Sequence, residues 1–439
     1  MTAEVSVMNT IGVALAADSA VTIGRGTKIY NSANKLFALS KYHPIGIMIY
    51  GNAGFMRMPW ETIIKVYRNL IGPKSFNKVS EYGEQFVQFL KDNKYEEISS
   101  KEIEEKYTLN MLSEEVLDLF EFILERVKSK VNEDPEVKED ELFKYGDSLL
   151  ERILNDLEEE EFIADFNDSD LRIILKEYDE RLDEIICNTF ENFVFSDSMV
   201  TNVKYIIVSS ALKRFHSYTG VVIAGFGENE LYPSLVSYQI EGRLNGKLKY
   251  SRENETKIGL TNTASIIPFA QSDMVHTFIR GVDPDIESLT FSYLEELFKK
   301  LPDALTDKLE GHLKTSQSEM VKSNLVEALK TIYDDFEEVL NEYKEDFFTT
   351  PILSIVNSLP KEELADMAEA LVNLTSFKRK VSSSIESVGG PIDVAVITKG
   401  DGFVWIKRKH YFDTDKNQQF HQKYFWRDNY EPTSFREEC

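Results

Sequence analysis

Apolar positions in the first fifty residues come in short runs: Val5 and Val7, then GVALAADSAVTI (12–23), KIYNSANKLFAL (28–39) and IGIMIYG (45–51), separated by Gly, Asn and charged residues. Runs of this length and composition predict strands. The links are too short for helical crossovers, so the chain should open with antiparallel hairpins. From Pro59 the period becomes helical, with Trp60, Ile63, Ile64, Tyr67, Leu70 and Ile71 on one face and Gly72-Pro73 as the stop, predicting a helix over 59–71. Further helical periods fall at about 79–91, 114–128, 141–157 and 170–193, making a helical block over 75–200. Strand patterns return in YTGVVIAGFG (218–227) and YPSLVSYQIEG (232–242), whose Gly-Glu-Asn-Glu link predicts another hairpin. A second helical block covers about 288–380. Its last helix has Ser358 near the start, Pro360 and two glutamates in the first turn, and Leu364, Met367, Ala368 and Leu371 on its apolar face. IDVAVITK and FVWIKRKHYF then flank the turn Gly400-Asp401-Gly402 as two more strands. Clustered strands and clustered helices without βαβ alternation predict an α+β fold of antiparallel sheets covered by helices. Similar strands flank the block over 75–200, which therefore reads as an insertion into one sheet-based core.

Composition narrows the function classes. With 42% hydrophobic and 28% charged residues over 439 positions, the chain has the make-up of a globular protein and room for two or three domains. Fifty basic against seventy-five acidic residues give a formal charge of −25, which repels nucleic acid and anionic membrane surfaces. Cys187 and Cys439 cannot build a disulfide framework, no apolar run approaches the ~20 residues of a membrane span, and no basic segment precedes the first apolar run. A cytoplasmic protein is expected. HExxH, paired CxxC and P-loop motifs are missing, so neither metal nor cofactor is expected. DFNDSDLRIILK (165–176) starts like a calcium loop, but Asp170 stands where glycine is needed and Lys176 where glutamate is needed. His216, His276 and His410 read as packing or surface residues, Glu158–Glu161 as a solvated helix face, and Lys407, Arg408 and Lys409 as charges that blunt a sheet edge. The aromatic tail with Phe420, Tyr424, Phe425, Trp426 and Tyr430 docks either on its own core or on a neighbouring subunit.

Two residues near the start suggest chemistry. Thr2 follows Met1, and a small second residue normally permits removal of that methionine. A threonine with a free α-amine, whose pKa is ordinarily about 7.7–8, carries nucleophile and general base in one residue. Asp18 interrupts an otherwise small, apolar strand, so it either faces solvent at the strand end or serves a nearby group.

The spacing of Thr2, Gly12, the run LAADS ending at Asp18 and Ser19, Lys35 in ANKL and Gly51 in YGNAG resembles the proteasome β-subunit family, bacterial ring-forming relatives included. ESVGGPIDVAVI (386–397) resembles a further strand of that family. The resemblance implies a four-layer αββα N-terminal nucleophile hydrolase, with its core over 2–72 and 217–408, helical segments over 75–200 and 288–380, and a tail over 409–439. It implies Thr2 as the nucleophile, Asp18 and Lys35 as a buried pair beside it, and Gly51 as the oxyanion amide. Ser272, Glu386 and Ser387 are the candidates for supporting groups. Phe269-Ala270-Gln271 replaces the family's Gly-Ser-Gly, Val388 and Ile385 replace a serine and an acid, and Ala20 replaces an arginine. The implied substrate is peptide or unfolded protein, delivered by an ATP-driven unfoldase to a homo-oligomer. A noncatalytic scaffold of the same fold and a small-molecule amidase are the alternatives.

Overall fold

The computed structural model describes residues 2–23, 28–92, 100–190, 197–308, 315–382, 388–413 and 415–419. Eight strands open the chain: β1 (Ala3–Asn9), β2 (Gly12–Ala17), β3 (Val21–Ile23), β4 (Lys28–Tyr30), β5 (Leu36–Ala38), β6 (Ile45–Gly51), β7 (Gly54–Phe55) and β8 (Met58–Pro59). Seven helices follow: α1 (Trp60–Ile71), α2 (Val79–Asp92), α3 (Lys101–Glu133), α4 (Glu139–Glu159), α5 (Asp168–Glu177), α6 (Asp179–Thr189) and α7 (Asp197–Lys213). Then come β9 (Thr219–Gly225), β10 (Ser234–Leu244), β11 (Lys247–Lys257) and β12 (Ala264–Ala270). The helices α8 (Asp273–Arg280), α9 (Pro284–Lys308), α10 (Thr315–Lys344), α11 (Thr350–Ser358) and α12 (Lys361–Val381) precede β13 (Asp393–Thr398) and β14 (Gly402–Lys407).

Two five-stranded antiparallel sheets form the centre, ordered β12-β1-β2-β13-β14 and β11-β10-β9-β6-β5. Alternation along each strand decides which way its side chains face. Met8, Val13, Leu15, Ala395 and Ile397 of the first sheet meet Met48, Tyr50, Val222 and Ala224 of the second in one buried cluster. On the outer side of the first sheet, Ala3, Val5, Ala14, Ala16 and Val394 pack against Leu364, Ala368, Leu371 and Val372 of α12. The alanines are what let α12 lie close to this sheet. Outside the second sheet, Ile45, Ile47, Val221 and Val236 pack against Trp60, Ile63 and Ile64 of α1 and Tyr82 and Phe86 of α2. The architecture is a four-layer αββα sandwich of the α+β class. At about 25 cal/mol per Å² of apolar surface removed from water, the three contacts between layers are its main source of stability.

Several boundaries differ from the sequence reading, each for a local reason. The segment predicted as one strand over 28–39 divides into β4 and β5 around the Asn31–Asn34 loop. The helix expected over 114–128 runs 101–133, because the Ser100 side chain caps its start by accepting from the Ile103 amide at 3.3 Å. The helix expected over 170–193 breaks at Tyr178, with Asn167 and Asp170 forming a capping box at the head of α5. Ser358 ends α11 rather than capping α12, whose N-cap is Pro360 without a side-chain bond. Of the block over 75–200, α2 joins the sandwich layer and the start of α3 reaches it through Ile103 and Tyr107. Leu112, Val116, Leu182, Ile207 and Leu212 of α3, α6 and α7 build a separate core with Leu244 at the end of β10. The basic cluster sits on the edge strand β14 and just beyond it, where Lys407 pairs with Glu369 and Lys409 with Asp393. Glu386, Ser387 and the aromatic tail from Phe420 lie outside the described residues.

Candidate active site

Thr2 immediately precedes β1, which pairs with β2 on one side and β12 on the other. The Gln271 amide donates to the Thr2 carbonyl at 3.1 Å, so the residue is held by backbone before its side chain makes any contact. Thr2 is 3% exposed. Asp18 lies one residue past β2 and is fully buried. Its amide donates to the Ala3 carbonyl at 3.1 Å, and the Ala3 amide donates back to Asp18 Oδ1 at 3.2 Å. Oδ2 accepts from the amides of Ala20 at 3.2 Å and Gly389 at 3.0 Å. Three backbone donors therefore fix this carboxylate before any cation is counted, which is why an acid is stable at the end of so apolar a strand.

Lys35 supplies the fourth donor. It stands just before β5, tied in place by the Ile49 amide donating to its carbonyl at 2.9 Å. Its Nζ donates to Asp18 Oδ1 at 2.6 Å and to Thr2 Oγ1 at 3.1 Å, with the lysine and aspartate side chains 5% and 0% exposed. The ammonium is thus held between a carboxylate and a hydroxyl. A cation in that place favours an alkoxide on the hydroxyl and disfavours protonation of an amine beside it.

Thr2, Lys35, Tyr50, Gly51, Asn52 and Glu61 line a cleft of about 180 Å³. Gly51 ends β6 at φ +81°, and a Cβ there would lie 2.5 Å from the Tyr218 carbonyl oxygen, so only glycine is accommodated. The next residue is braced from behind. Asn52 Nδ2 donates to the Ser217 carbonyl at 2.8 Å, and the Asn52 carbonyl accepts from Thr219 Oγ1, which itself accepts from Trp60 Nε1 at 2.9 Å. On the cleft wall Glu61 accepts from Asn34 Nδ2 at 3.1 Å and pairs with Lys65. Burial alone would raise the Glu61 carboxyl, but these donors outweigh it and leave the group below its ordinary range.

The structure therefore brings Thr2, Asp18 and Lys35 into contact and sets Gly51 on the same cleft. Ser272 heads α8 next to Gln271, but its hydroxyl makes no bond to Thr2, Asp18 or Lys35 among the described residues. The GGPIDVAVI segment takes part through backbone: besides the Gly389 amide on Asp18, the Gly389 carbonyl accepts from the Ser19 amide at 3.1 Å and the Pro391 carbonyl from Ser19 Oγ.

One group was not anticipated from sequence. Glu4 is 0% exposed, and neither of its carboxyl oxygens has a hydrogen-bond partner among the described residues. Burial pushes its carboxyl well above the usual range, Asp18 pushes the same way, and Lys35 opposes them. The signal is present in the chain: Thr2, Glu4 and Ser6 alternate along β1 toward the inter-sheet space, where apolar residues would be expected.

No family model matches the chain, and no curated protein matches it. The chain is similar to the solved structure of Anbu (ancestral beta-subunit) from Yersinia bercovieri, at 9% identity and a TM-score of 0.27, over 96% of this chain and 94% of that one. It is also similar to the Anbu complex of Pseudomonas aeruginosa, solved as a helical assembly, at 9% identity and a TM-score of 0.28, over 99% of this chain and 100% of that one. Likenesses at that TM-score carry no argument. The membership of the proteasome β-subunit family implied by the sequence motifs is corrected accordingly: with no family model matching and TM-scores this low, the chain is not assigned to that family.

Proposed function

We propose that the chain is an N-terminal threonine hydrolase that cleaves amide bonds once Met1 has been removed. The observation that carries this reading is the Lys35 ammonium, 3.1 Å from the Thr2 hydroxyl and 2.6 Å from Asp18, on a cleft bordered by a glycine with positive φ. The freed α-amine takes the proton from Thr2 Oγ as the oxygen attacks the amide carbonyl. Lys35 stabilises the developing alkoxide, and Asp18, anchored by three amides, keeps the lysine in place. The Gly51 N–H serves the oxyanion of the tetrahedral intermediate, a contact worth about 3–4 kcal/mol in other hydrolases. The amine then passes its proton to the departing nitrogen, and water cleaves the resulting ester.

Peptide or unfolded protein is the proposed substrate class. Hydrolysis of a fluorogenic peptide series, with Thr2→Ala as the control, tests the reading. Activity that disappears with Thr2→Ala supports it, and turnover restricted to small non-peptide amides would redirect it to an amidase. Purified protein that keeps Met1 and shows no threonine-dependent turnover would leave a noncatalytic scaffold.

A further inference from the structure

Thr2 immediately precedes β1 and Glu4 lies two residues on, on the inward face of that strand, so the side chain next to the proposed nucleophile along that face is a carboxyl. Its neighbours across the sheet are Ala17 of β2 and Phe269 of β12, neither of which has a side-chain donor. Phe269 stacks on Tyr50 of the opposite sheet with ring centroids 5.8 Å apart, closing that side with aromatic surface. The charged and titratable groups acting on the site come from several elements: Lys35 before β5, Asp18 after β2, and Tyr50 of β6 with Glu253 of β11 at 3.2 Å from its hydroxyl. Among the described residues Asp18 takes four donors and Glu4 none. The site thus holds one matched cation and anion, plus a second acid that no donor compensates.

An uncompensated buried carboxyl is stable only as the neutral acid. Freeing the α-amine of Thr2 changes the balance, because protonating that amine adds a second buried cation. We infer that Glu4 is a positioning residue that holds the exchangeable proton of the site: the acid is neutral while the amine is a free base, and the same proton moved to the amine leaves a carboxylate facing an ammonium. Net charge and atoms are the same in both forms, so the cluster switches between reactive and resting amine without an unbalanced buried charge. Burial raises the Glu4 carboxyl and Lys35 opposes it; a cation also disfavours protonation of an amine beside it, so an acid and an amine that share the site titrate as a coupled pair. This inference rests on the hydrolase reading above.

The test is the pH dependence of the rate at which an N-terminal-threonine-directed epoxyketone labels Met1-free protein, compared between wild type and Glu4→Gln. Gln keeps the shape and removes the titration, so no carboxylate remains to hold the amine protonated. The acid limb of the profile is expected to move to lower pH by about one unit, with the wild-type coupled limb reduced to a single ionisation. Glu4→Met, apolar and unbranched, should shift the limb in the same direction and covers the case in which Gln disturbs folding. Superimposable profiles with labelling intact would overturn the inference alone, whereas wild-type protein unlabelled at every pH would overturn the hydrolase reading as well. An infrared carbonyl band of a protonated acid at neutral pH, present in wild type and lost in both variants, is a second requirement; its absence from wild type overturns the proposal.

Discussion

Among the described residues, two buried lysine–carboxylate pairs have nearly the same N···O distance and different surroundings. Lys35 and Asp18 are 2.6 Å apart with side chains 5% and 0% exposed; Lys249 and Glu241 are 2.7 Å apart with both at 1%. The second pair joins β11 to β10 beneath α3, where the Tyr107 hydroxyl donates to the Glu241 carbonyl and the Phe215 ring lies 5.5 Å from the ammonium. Glu241 Oε1 accepts from the Ser217 amide at 3.2 Å, but among the described contacts no hydroxyl bonds to either charged group, and neither residue lines the Thr2 cleft. Desolvation lowers the Lys249 amine despite Glu241. A buried ion pair is therefore not a sign of chemistry in this fold. What distinguishes Lys35 is its third contact, the Thr2 hydroxyl on an open cleft, together with the three amides that hold Asp18 independently of it.

Substitutions at the two pairs should separate these roles. Thr2→Ala is expected to have the largest effect, reducing peptide hydrolysis by on the order of 10⁴-fold while costing about 1 kcal/mol of stability, the value of one hydrogen bond. Steady-state rates and chemical denaturation of the same samples check both halves. Lys35→Met should slow hydrolysis by about 10²- to 10⁴-fold. Its stability cost should be the smaller of the two lysine variants, since Asp18 keeps three backbone donors. Lys249→Met should do the opposite, lowering unfolding free energy by about 3–5 kcal/mol through the stranded Glu241 carboxylate, and adding Glu241→Leu should recover most of it. Equal stability losses at the two lysines would erase the contrast.

Smaller effects follow at the margins of the comparison. Gly51→Ala places a Cβ against the Tyr218 carbonyl at positive φ and should cost about 1–3 kcal/mol, with a slower hydrolytic rate at unchanged protein concentration. The smallest effect concerns His216, which pairs with Glu115 beside the Lys249 pair. Burial lowers the His216 imidazole, but the Glu115 bond and charge outweigh it and raise the group above its ordinary range. A raised folded pKa stabilises fully below the ordinary histidine range and is lost as pH rises through the folded value. Unfolding free energy of wild type should therefore fall over that interval by up to about 1 kcal/mol after solvent screening, and His216→Gln should flatten the fall.

The sequence carried the fold further than it carried the site. Strand runs with links too short for crossovers led to antiparallel sheets, and the periodic faces of Trp60–Ile71 and Leu364–Leu371 located helices that cover them. Boundaries failed where a cap or loop overrode periodicity, as at Ser100, Asn167 and the break between β4 and β5. For the site, an acid inside GVALAADSAVTI was legible as unusual, but its three amide donors come from residues 3, 20 and 389 and depend on tertiary closure. Glu4 is not legible as a buried group, because a glutamate in a strand normally faces solvent; the pairing of β1 on both edges and the facing second sheet make it buried.

The most direct test of the account is intact-mass and fragment analysis after exposure to an epoxyketone that must engage both the hydroxyl and the α-amine of one N-terminal threonine. The account predicts a chain lacking Met1 with a single adduct on Thr2, abolished by Thr2→Ala and strongly slowed by Lys35→Met. A chain that retains Met1, or an adduct located on any other residue, would contradict it.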